Sequence, residues 1–337
     1  MAGADSTQPA LSVVIVNWNV CDLLRRCLAS IAGSDDLILT GAARGGVARR
    51  WSAEVIVVDN ASGDGSLAML ASEFPSVQVI ANKENAGFTR ANNQGLAASR
   101  GRYILFLNPD TELAPGALSL MLQYAEAHPA AGILGPQLRY GDGALQSSRR
   151  RFPTLATFFV ESTVVQGWWP RNQILARYYM LDRPDDVVSQ VDWVVGACML
   201  VRRDVLNRIG GFDEGFFMYS EELDLCRRTV AAGWQVVYLP QAVVTHYEGK
   251  SSEQVVAARH IRFHTSRVRY VRKYHGAPAA EAVRVFLLLT FAWQWLVEGA
   301  KWLAGLIIPS QRGQRSMRRE RMAAYHAVLR SRLRSDR

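Results

Sequence analysis

The sequence predicts an α/β protein with a mostly parallel sheet, helices on both faces of that sheet, and a C-terminal amphipathic, apolar helical tail. Short apolar runs bounded by turn-forming residues recur in the first third of the chain, and amphipathic helical patterns separate them. A continuous apolar stretch at 285–308 indicates the tail helix.

The predicted elements alternate in chain order. The apolar runs predict strands at 11–16, 54–59, 77–81 and 103–107. The patterns between and after them predict helices around 20–32, 64–73, 86–99 and 115–128. The stretch 34–53 is longer than an ordinary connection and is expected to be a surface loop. Residues 140–190 appear irregular, and further apolar runs follow at 191–203 and 234–240.

Charge is distributed unevenly along the 337 residues. Residues 259–337 contain 17 Lys and Arg against 4 Asp and Glu, a net charge of +13 that exceeds the +9 of the whole chain, so residues 1–258 are slightly acidic. This pattern argues against a uniformly basic nucleic-acid-binding protein. Four cysteines without CxxC spacing and an N-terminus without signal-peptide features predict a reduced, cytosolic chain.

The tail stretch 285–308 is long enough to span a bilayer. However, Thr290, Gln294, Glu298 and Lys301 recur at helical spacing and form a narrow polar stripe. Basic residues flank both ends of the stretch, which disfavours a single span under the positive-inside tendency. A helix in the membrane interface, or a re-entrant pair, fits better; the alternative is a buried or homo-oligomer-forming helix.

Polar residues follow the predicted strands at the edge where ligands collect in parallel sheets. Asn17 follows the first predicted strand, Asp59 ends the second and Asn60 follows it, and Asn108 and Asp110 come after the fourth. No GxGxxG or Walker A motif is present, which argues against dinucleotide dehydrogenases and P-loop enzymes.

Two of the candidate ligands have ordinary alternatives. Asp110 in LNPD could bind a hard divalent cation, but NPD is also a common turn. His246 follows an apolar run, where a lone histidine is more often a hydrogen-bonded surface or core residue than a metal ligand.

The stretch FFMYSEELDLCRR at 216–228 contains several acids. Ser220 is a good N-cap, and acids in the first turn of a helix stabilise it without any catalytic role. Asp224 and Arg228 form an ordinary i, i+4 pair. Glu222 and Asp224 point about 200° apart on a helix, so only one of them is expected to face a cleft.

The whole set of motifs resembles family 2 glycosyltransferases of the GT-A fold, closest to rhamnosyltransferase-like members. The elements that carry the resemblance appear in the expected order over about residues 11–275: VVIVNWN, VIVVDNASGDGS, NAGFTRANNQG, LFLNPD, VDWVVGACMLVRR, GGFDEGFFMYSEELDLCRR and HYEGKS. The predicted division is a GT-A domain at 1–258, with a nucleotide-sugar half (11–135) and an acceptor half (136–258), and a basic helical tail at 259–337.

The resemblance implies roles for individual residues. LNPD stands where the family's metal-binding DxD motif lies, so Asp110 is expected to hold Mg²⁺ or Mn²⁺, with Asn108 replacing one charged ligand and His246 as a second metal ligand. Trp193 and Gly196 are expected to shape the acceptor floor. The family's Glu-Asp pair corresponds to Glu221-Glu222, which makes Glu222 the expected general base. The residues expected to bind the donor nucleotide and diphosphate are Asn17, Asp59, Asn60, Asn85, Gly87, Arg90, Asn93, Asn108 and Asp110.

The resemblance also implies a function: an inverting, metal-dependent transfer of a sugar from a nucleoside-diphosphate sugar to a hydroxyl group. The nearest family members suggest dTDP-rhamnose as the donor. A basic, apolar tail at 283–320 suggests contact with the cytoplasmic face of the plasma membrane and a lipid-linked saccharide acceptor in cell-envelope polysaccharide synthesis. The alternatives are a sugar nucleotidyltransferase and a non-catalytic, membrane-tethered nucleotide-sugar-binding protein.

Overall fold

The computed structural model describes residues 8–34, 37–39, 51–247, 256–307 and 313–334. The chain forms two compact units. Unit 1 comprises Met1–Phe152, Asp182–Glu214 and Glu221–Ser251, and unit 2 comprises Pro153–Leu181, Gly215–Ser220 and Ser252–Arg337.

Strands and helices alternate through the first part of the chain. The strands are β1 (Leu11–Asn17), β2 (Leu37–Leu39), β3 (Trp51–Asp59), β4 (Gln78–Ala81), β5 (Tyr103–Leu107), β6 (Thr111–Leu113), β7 (Ala131–Arg139), β8 (Leu145–Gln146), β9 (Arg149–Arg150), β10 (Ser189–Val191), β11 (Trp193–Val194), β12 (Cys198–Arg202) and β13 (Gln235–His246). The helices are α1 (Cys21–Ala32), α2 (Ser66–Glu73), α3 (Phe88–Ala98), α4 (Ala117–Ala127), α5 (Leu155–Val160), α6 (Val164–Trp168), α7 (Gln173–Tyr178), α8 (Arg203–Ile209), α9 (Glu221–Ala231), α10 (Val256–His275), α11 (Ala277–Ile307) and α12 (Arg315–Ser331).

Unit 1 is built on one mixed sheet with the strand order β10-β13-β7-β12-β5-β1-β3-β2. β1 lies between β3 and β5 and is parallel to both, and β4 extends the parallel part beside β3. β12 runs antiparallel between β5 and β7, while β13 is parallel to β7. β1 and β5 are completely buried, as continuous apolar runs require in a sheet covered on both faces.

The sheet register brings the strand ends together. Asn17, the last residue of β1, pairs with Asp59, the last residue of β3. On the other side, Ile15 of β1 pairs with Leu107 at the end of β5. The polar residues that follow these strands therefore lie at one edge of the sheet, as the sequence predicts.

Two regions contain more structure than the sequence predicts. β2 and the start of β3 at Trp51 fall inside the stretch 34–53, which we expected to be a loop, although 35–36 and 40–50 lie outside the described residues. Region 140–190, which appears irregular in sequence, contains β8, β9, β10 and three short helices. These strands have two or three residues each and are held by pairing with their neighbours, so periodicity could not reveal them.

Unit 2 is helical and larger than the tail predicted at 259–337. Residues 153–181 and 215–220 belong to it, because they pack on the tail helices. Arg267 of α10 donates to the carbonyl oxygens of Phe158 (3.0 Å) and Glu161 (2.8 Å), and Phe159 packs edge-on against Phe286 of α11.

Candidate active site

The first polar cluster joins the ends of β1 and β3. Asn17 Nδ2 donates to Asp59 Oδ2 at 2.8 Å and to Ser62 Oγ at 3.1 Å. The Ser62 amide donates to the other oxygen of Asp59 at 2.9 Å. Asn17 and Asp59 are fully buried, so these hydrogen bonds fix the carboxylate in one orientation.

The loop after this cluster is ordered by a second set of hydrogen bonds. Asn19, which adopts a left-handed backbone (φ 53°), accepts from the Gly63 amide at 2.7 Å. Asp64 accepts from the Cys21 amide at the start of α1 and from the Ser66 hydroxyl. Burial alone would raise the pKa of Asp64, but these hydrogen bonds outweigh it and lower the pKa. An open cleft of about 670 Å³ lies beside Asn19 and Asp64.

A third group continues from Asn60 toward α3. Asn60 donates to the Gly87 carbonyl (3.2 Å) and accepts from Asn82 (2.8 Å). The Asn85 side chain accepts from the Gly87 amide, and Gly87 has φ 88°, a conformation that glycine adopts at no steric cost. Asn60, Asn85 and Gly87 are therefore close together, and their role in lining the floor under the donor stays a prediction.

Arg90 and Asn93 are placed differently from these three. Arg90 is exposed on α3. Asn93 exchanges two 2.9 Å hydrogen bonds with the backbone of Phe212 and also donates to Glu214. Its amide group is thus engaged in holding the 212–214 loop, and a role in donor binding for either residue stays a prediction.

The LNPD motif meets the end of β13. His246 Nε2 lies 3.4 Å from Asp110 Oδ1, and both side chains are buried. His246 Nδ1 lies 3.0 Å from Gln146 Oε1, which fixes the orientation of the ring. The Oδ1 atom of Asn108 is buried and has no hydrogen-bond partner among the described residues. Lys250 and Ser251 of the same motif lie outside the described residues.

This donor set fits a divalent cation. A carboxylate and an imidazole nitrogen already lie near each other, and an amide oxygen close in sequence lacks a partner. Within the described ranges, no group of three or more His, Cys, Asp or Glu side chains is positioned to bind a metal. Mg²⁺ and Mn²⁺ sites in nucleotide enzymes commonly take one or two protein ligands and complete their coordination with phosphate oxygens and water.

Arg26 of α1 links the two segments that carry the candidate metal ligands. Arg26 Nε lies 2.5 Å from Glu112, two residues after Asp110, and its Nη2 donates to the Tyr247 hydroxyl at 2.6 Å. Tyr247 directly follows His246, and its amide donates to the carbonyl of Asp110 at 2.9 Å. These contacts hold the segment of Asp110 against the segment of His246, so the two candidate metal ligands stay close together.

Glu221 and Glu222 form the first turn of α9. Each has one carboxylate oxygen that is buried without a hydrogen-bond partner in the described part of the chain. Burial, followed by the charge of Glu222, raises the pKa of Glu221 well above its ordinary value. Burial also raises the pKa of Glu222, opposed by hydrogen bonds from the Leu223 and Gly196 amides and by the charge of Arg150.

The surroundings of Glu222 are formed by β9, β11 and the residues after β11. A Cβ added at Gly196 would lie 3.2 Å from the Glu222 Cβ, so the absence of a side chain at 196 makes room for the glutamate. Arg150 lies over the ring of Trp193, 5.3 Å from its centroid, and is the cation that acts on the Glu222 carboxylate. Gly196 therefore lies beside Glu222, and Trp193 lies beside Arg150. Their role in shaping the acceptor floor stays a prediction.

Asp224 has a structural role. It is fully buried and pairs with Arg228 at 2.8 Å. Arg228 also donates to the carbonyl oxygens of Ile209 and Gly211. The expectation that only one of Glu222 and Asp224 faces the site agrees with this arrangement.

A continuous line of contacts connects the donor cluster to the acid pair within unit 1. Asp59 contacts Asn17 at the end of β1, and β1 pairs with β5. The Asn108 amide, directly after β5, donates to the Ala197 carbonyl at 2.9 Å, and the preceding residue, Gly196, contacts Glu222. Sequence reasoning missed the supporting residues Ser62, Asn82, Gln146 and Arg150. Nothing in the sequence links Arg150 to Glu222, which lies 72 positions away.

Solved structures with the same fold bind nucleotide sugars or nucleotides. The mannosyltransferase PcManGT from Pyrobaculum calidifontis, in complex with GDP-Man and Mn²⁺, matches with a TM-score of 0.54 over 98% of this chain and 89% of its own, at 17% identity. GalNAc-T7 with UDP, GalNAc and Mn²⁺ matches with a TM-score of 0.54 over 73% of this chain and 45% of its own, at 16% identity. The chain thus has the GT-A fold, as predicted, with an apolar helical tail.

Sequence comparison defines the family. The model of glycosyl transferase family 2 matches residues 12–210, and that of glycosyl transferase family 21 matches 184–313. The chain belongs to glycosyl transferase family 2 and is rhamnosyltransferase-like. The N-acetylglucosaminyl-diphospho-decaprenol L-rhamnosyltransferase of Mycobacterium tuberculosis is 31% identical over 79% of this chain and 85% of its own length. Rhamnosyltransferase WbbL of Escherichia coli K12 is 33% identical over 48% of this chain and 61% of its own.

Proposed function

We propose that this glycosyltransferase is inverting and metal-dependent, and that it transfers rhamnose from dTDP-rhamnose to a hydroxyl group of a lipid-linked saccharide at the cytoplasmic face of the plasma membrane. The product would serve cell-envelope polysaccharide synthesis. The observation that carries the proposal is the Glu222 carboxylate, which has a buried oxygen and a raised pKa and is connected through Gly196 and Ala197 to the Asp110 segment.

The reaction follows from this arrangement. Asn17 and Asp59 are fixed to receive the nucleoside, and the Asn60–Gly87 group forms a floor for the ribose and diphosphate. Asp110 and His246 would hold Mg²⁺ or Mn²⁺, which neutralises the negative charge of the departing diphosphate. Glu222 accepts the proton of the acceptor hydroxyl while the hydroxyl oxygen bonds to the anomeric carbon and the bond from that carbon to the diphosphate oxygen breaks.

A single displacement with Glu222 as the base inverts the anomeric configuration. No enzyme nucleophile is needed, because the acceptor oxygen itself attacks from the face opposite the diphosphate. A general base works best when its pKa is close to the operating pH, and burial moves the pKa of Glu222 in that direction.

The two rhamnosyltransferases among the relatives support the donor sugar. The mycobacterial relative, named for a diphospho-decaprenol acceptor, supports a lipid-linked acceptor. Such an acceptor lies in a bilayer, so the tail should contact the membrane.

The distribution of side chains on α11 supports that contact. Part of its apolar surface is exposed: Leu289 is 64%, Leu296 58% and Leu303 56% accessible, along a stripe that spans about 21 Å of helix. Two residues of its polar stripe are covered: Thr290 and Glu298 are buried, and Glu298 lies 3.8 Å from Arg321 of α12. Lys301, at the end of the stripe, is exposed. A helix packed for water has the opposite orientation, whereas hydrocarbon chains favour exposed leucine.

The activity test uses the full chain with Mn²⁺, a panel of dTDP- and UDP-sugars, and a polyprenyl-diphosphate-linked N-acetylglucosamine acceptor. We expect release of dTDP only when the acceptor is present, and NMR coupling constants that show the opposite anomeric configuration in the product. Donor binding without turnover would favour a non-catalytic binding protein. Formation of nucleotide sugar from a nucleoside triphosphate and a sugar phosphate would favour a nucleotidyltransferase.

Membrane contact is tested by deletion of residues 283–337 and by Leu289→Asp with Leu296→Asp. Burying one leucine is worth about 1.5–3 kcal/mol, so the double variant should lower binding to anionic vesicles by at least about 100-fold. Leu120→Asp, at an exposed leucine of α4, is the matched control and should bind normally. Unchanged vesicle binding by the deletion variant, or a dimer that dissociates in the double variant without vesicles, would favour the oligomer alternative.

A further inference from the structure

The segment 215–220 (GFFMYS) directly precedes α9 but packs with the tail helices in unit 2. Phe216 is fully buried, and two cations of α10 lie over its ring: Arg269 at 5.1 Å and Lys273 at 5.9 Å from the centroid. A guanidinium over an aromatic face in a desolvated setting is a favourable, directional contact. Phe216 is therefore fixed to α10 by more than hydrophobic burial.

The next three residues also contact α10. Arg262 lies 4.1 Å from the Phe217 ring centroid, and the Ser266 hydroxyl donates to the Met218 carbonyl at 2.8 Å. Tyr219 packs edge-on against Phe263 with centroids 5.5 Å apart. Each residue from 216 to 219 thus has its own partner on the same helix.

The backbone of the segment depends on these contacts. A Cβ added at Gly215 would overlap the guanidinium of Arg269, so Arg269 lies directly on the glycine. Tyr219 and Ser220 have φ values of 71° and 65°, in the left-handed region that bulky residues avoid. Such a conformation persists only where its surroundings determine it. Glu221, the first residue of α9, follows immediately.

We infer that α10 is a positioning element for the catalytic base, and that Arg269 and Ser266 are positioning residues that fix segment 215–220 and thereby the start of α9 at Glu222. This inference rests on the proposed role of Glu222. It assigns to the tail a task in the chemistry that is separate from membrane contact through α11.

The physical reason is geometric. The two left-handed residues set the direction in which α9 begins, and Glu222 lies in its first turn. A displacement of about 1 Å at a reacting group can lower the rate about 100-fold. Loosening the first turn of α9 would also lessen the burial that raises the pKa of Glu222, whose charged neighbours are Glu221 and Arg150.

The test compares Arg269→Gln with Arg272→Gln in the full-length protein. Arg272 is an exposed arginine of the same helix, so R272Q removes the same charge from α10 as R269Q does. We expect R269Q to lower kcat by about 10- to 100-fold with donor affinity within about twofold, and to shift the acidic limb of the kcat/KM profile to lower pH. R272Q should behave like the wild type, and Arg269→Lys should recover part of kcat because a cation remains over Phe216.

Gly215→Ala provides a second, independent variant. It should lower kcat as R269Q does, and the two changes together should be no worse than R269Q alone, because the shorter glutamine leaves room for the methyl group. Ser266→Ala should give a smaller loss of the same kind.

Additive losses, an unmoved pH profile, or wild-type kcat in R269Q would overturn the positioning role. If the wild type is active and E222Q is also active, the proposed base is wrong. The two failures are therefore distinguishable.

Discussion

Asp59 and Glu222 are connected by one line of contacts in unit 1, but their carboxylates are held differently. Both oxygens of Asp59 accept hydrogen bonds, from the Asn17 side chain and the Ser62 amide. Glu222 retains a buried oxygen without a hydrogen-bond partner in the described part of the chain. The two hydrogen bonds hold the Asp59 carboxylate in one orientation, which suits the proposed binding role. Burial raises the pKa of Glu222, which suits the proposed role of proton acceptor.

Glu222→Gln tests the proposed general base and should have the largest effect on activity. The amide cannot accept the acceptor proton, so kcat should fall at least about 1,000-fold while donor affinity changes little. Turnover is measured as dTDP release, and donor affinity by calorimetry. Glu222→Asp is the matched control, which should retain part of the activity because the family's usual base is an aspartate. Normal turnover by E222Q would remove Glu222 from the mechanism.

Asp110→Ala tests the candidate metal ligand, which lies on the line of contacts between Asp59 and Glu222. Loss of the carboxylate should weaken Mn²⁺-dependent donor binding by about 100-fold, because the candidate cation site has few protein ligands and would lose a negatively charged one. Mn²⁺ binding is followed by electron paramagnetic resonance, which does not depend on turnover. Asp142→Ala, on an exposed turn, is a control that should bind Mn²⁺ normally. Unchanged Mn²⁺ affinity in D110A would move the metal site elsewhere.

Asp59→Asn tests the binding end. The side chain keeps its size, but its new amide group faces the amide group of Asn17. Only one side-chain oxygen remains to accept the two hydrogen bonds that Asn17 and the Ser62 amide donate to Asp59. A lost buried hydrogen bond costs about 1–3 kcal/mol, so donor affinity should fall about 10- to 100-fold while kcat at saturating donor changes little. An equal loss in kcat and in affinity would contradict a role confined to binding.

Glu221→Gln gives the smallest expected effect and concerns stability. The pKa of Glu221 is raised above its ordinary 4.5, so the folded state holds a proton that the unfolded state releases, and stability falls as pH rises through the raised value. E221Q removes this loss. Its melting temperature should exceed that of the wild type at pH 8, by about 2–4 °C for each kcal/mol relieved, and match it near pH 4. A melting difference independent of pH would show that Glu221 is not protonated in the folded protein.

Local patterns explain why much of the fold could be predicted. β1 and β5 are continuous apolar runs, and α1 and α3 begin and end within two residues of the patterns that predicted them. Strands β8–β10 could not be predicted, because two or three residues carry no period and their pairing partners decide their conformation.

The placement of some candidate site residues could also be predicted from the sequence. Asn17, Asp59 and Asp110 follow strands, so the topology of a parallel sheet brings them to one edge. Arg150 and Gln146 could not be found in this way, since they contact Glu222 and His246 only through long-range folding.

The sequence by itself determined the order of strands and helices, the polar residues at the strand ends and the polar stripe on α11, because each follows from the period of a local structure. Tertiary structure alone decided that Thr290 and Glu298 of this stripe are buried while Leu289 and Leu296 are exposed, and that α10 holds the segment before Glu222. A period shows which residues share a face, but only the packing of distant segments decides which face is covered.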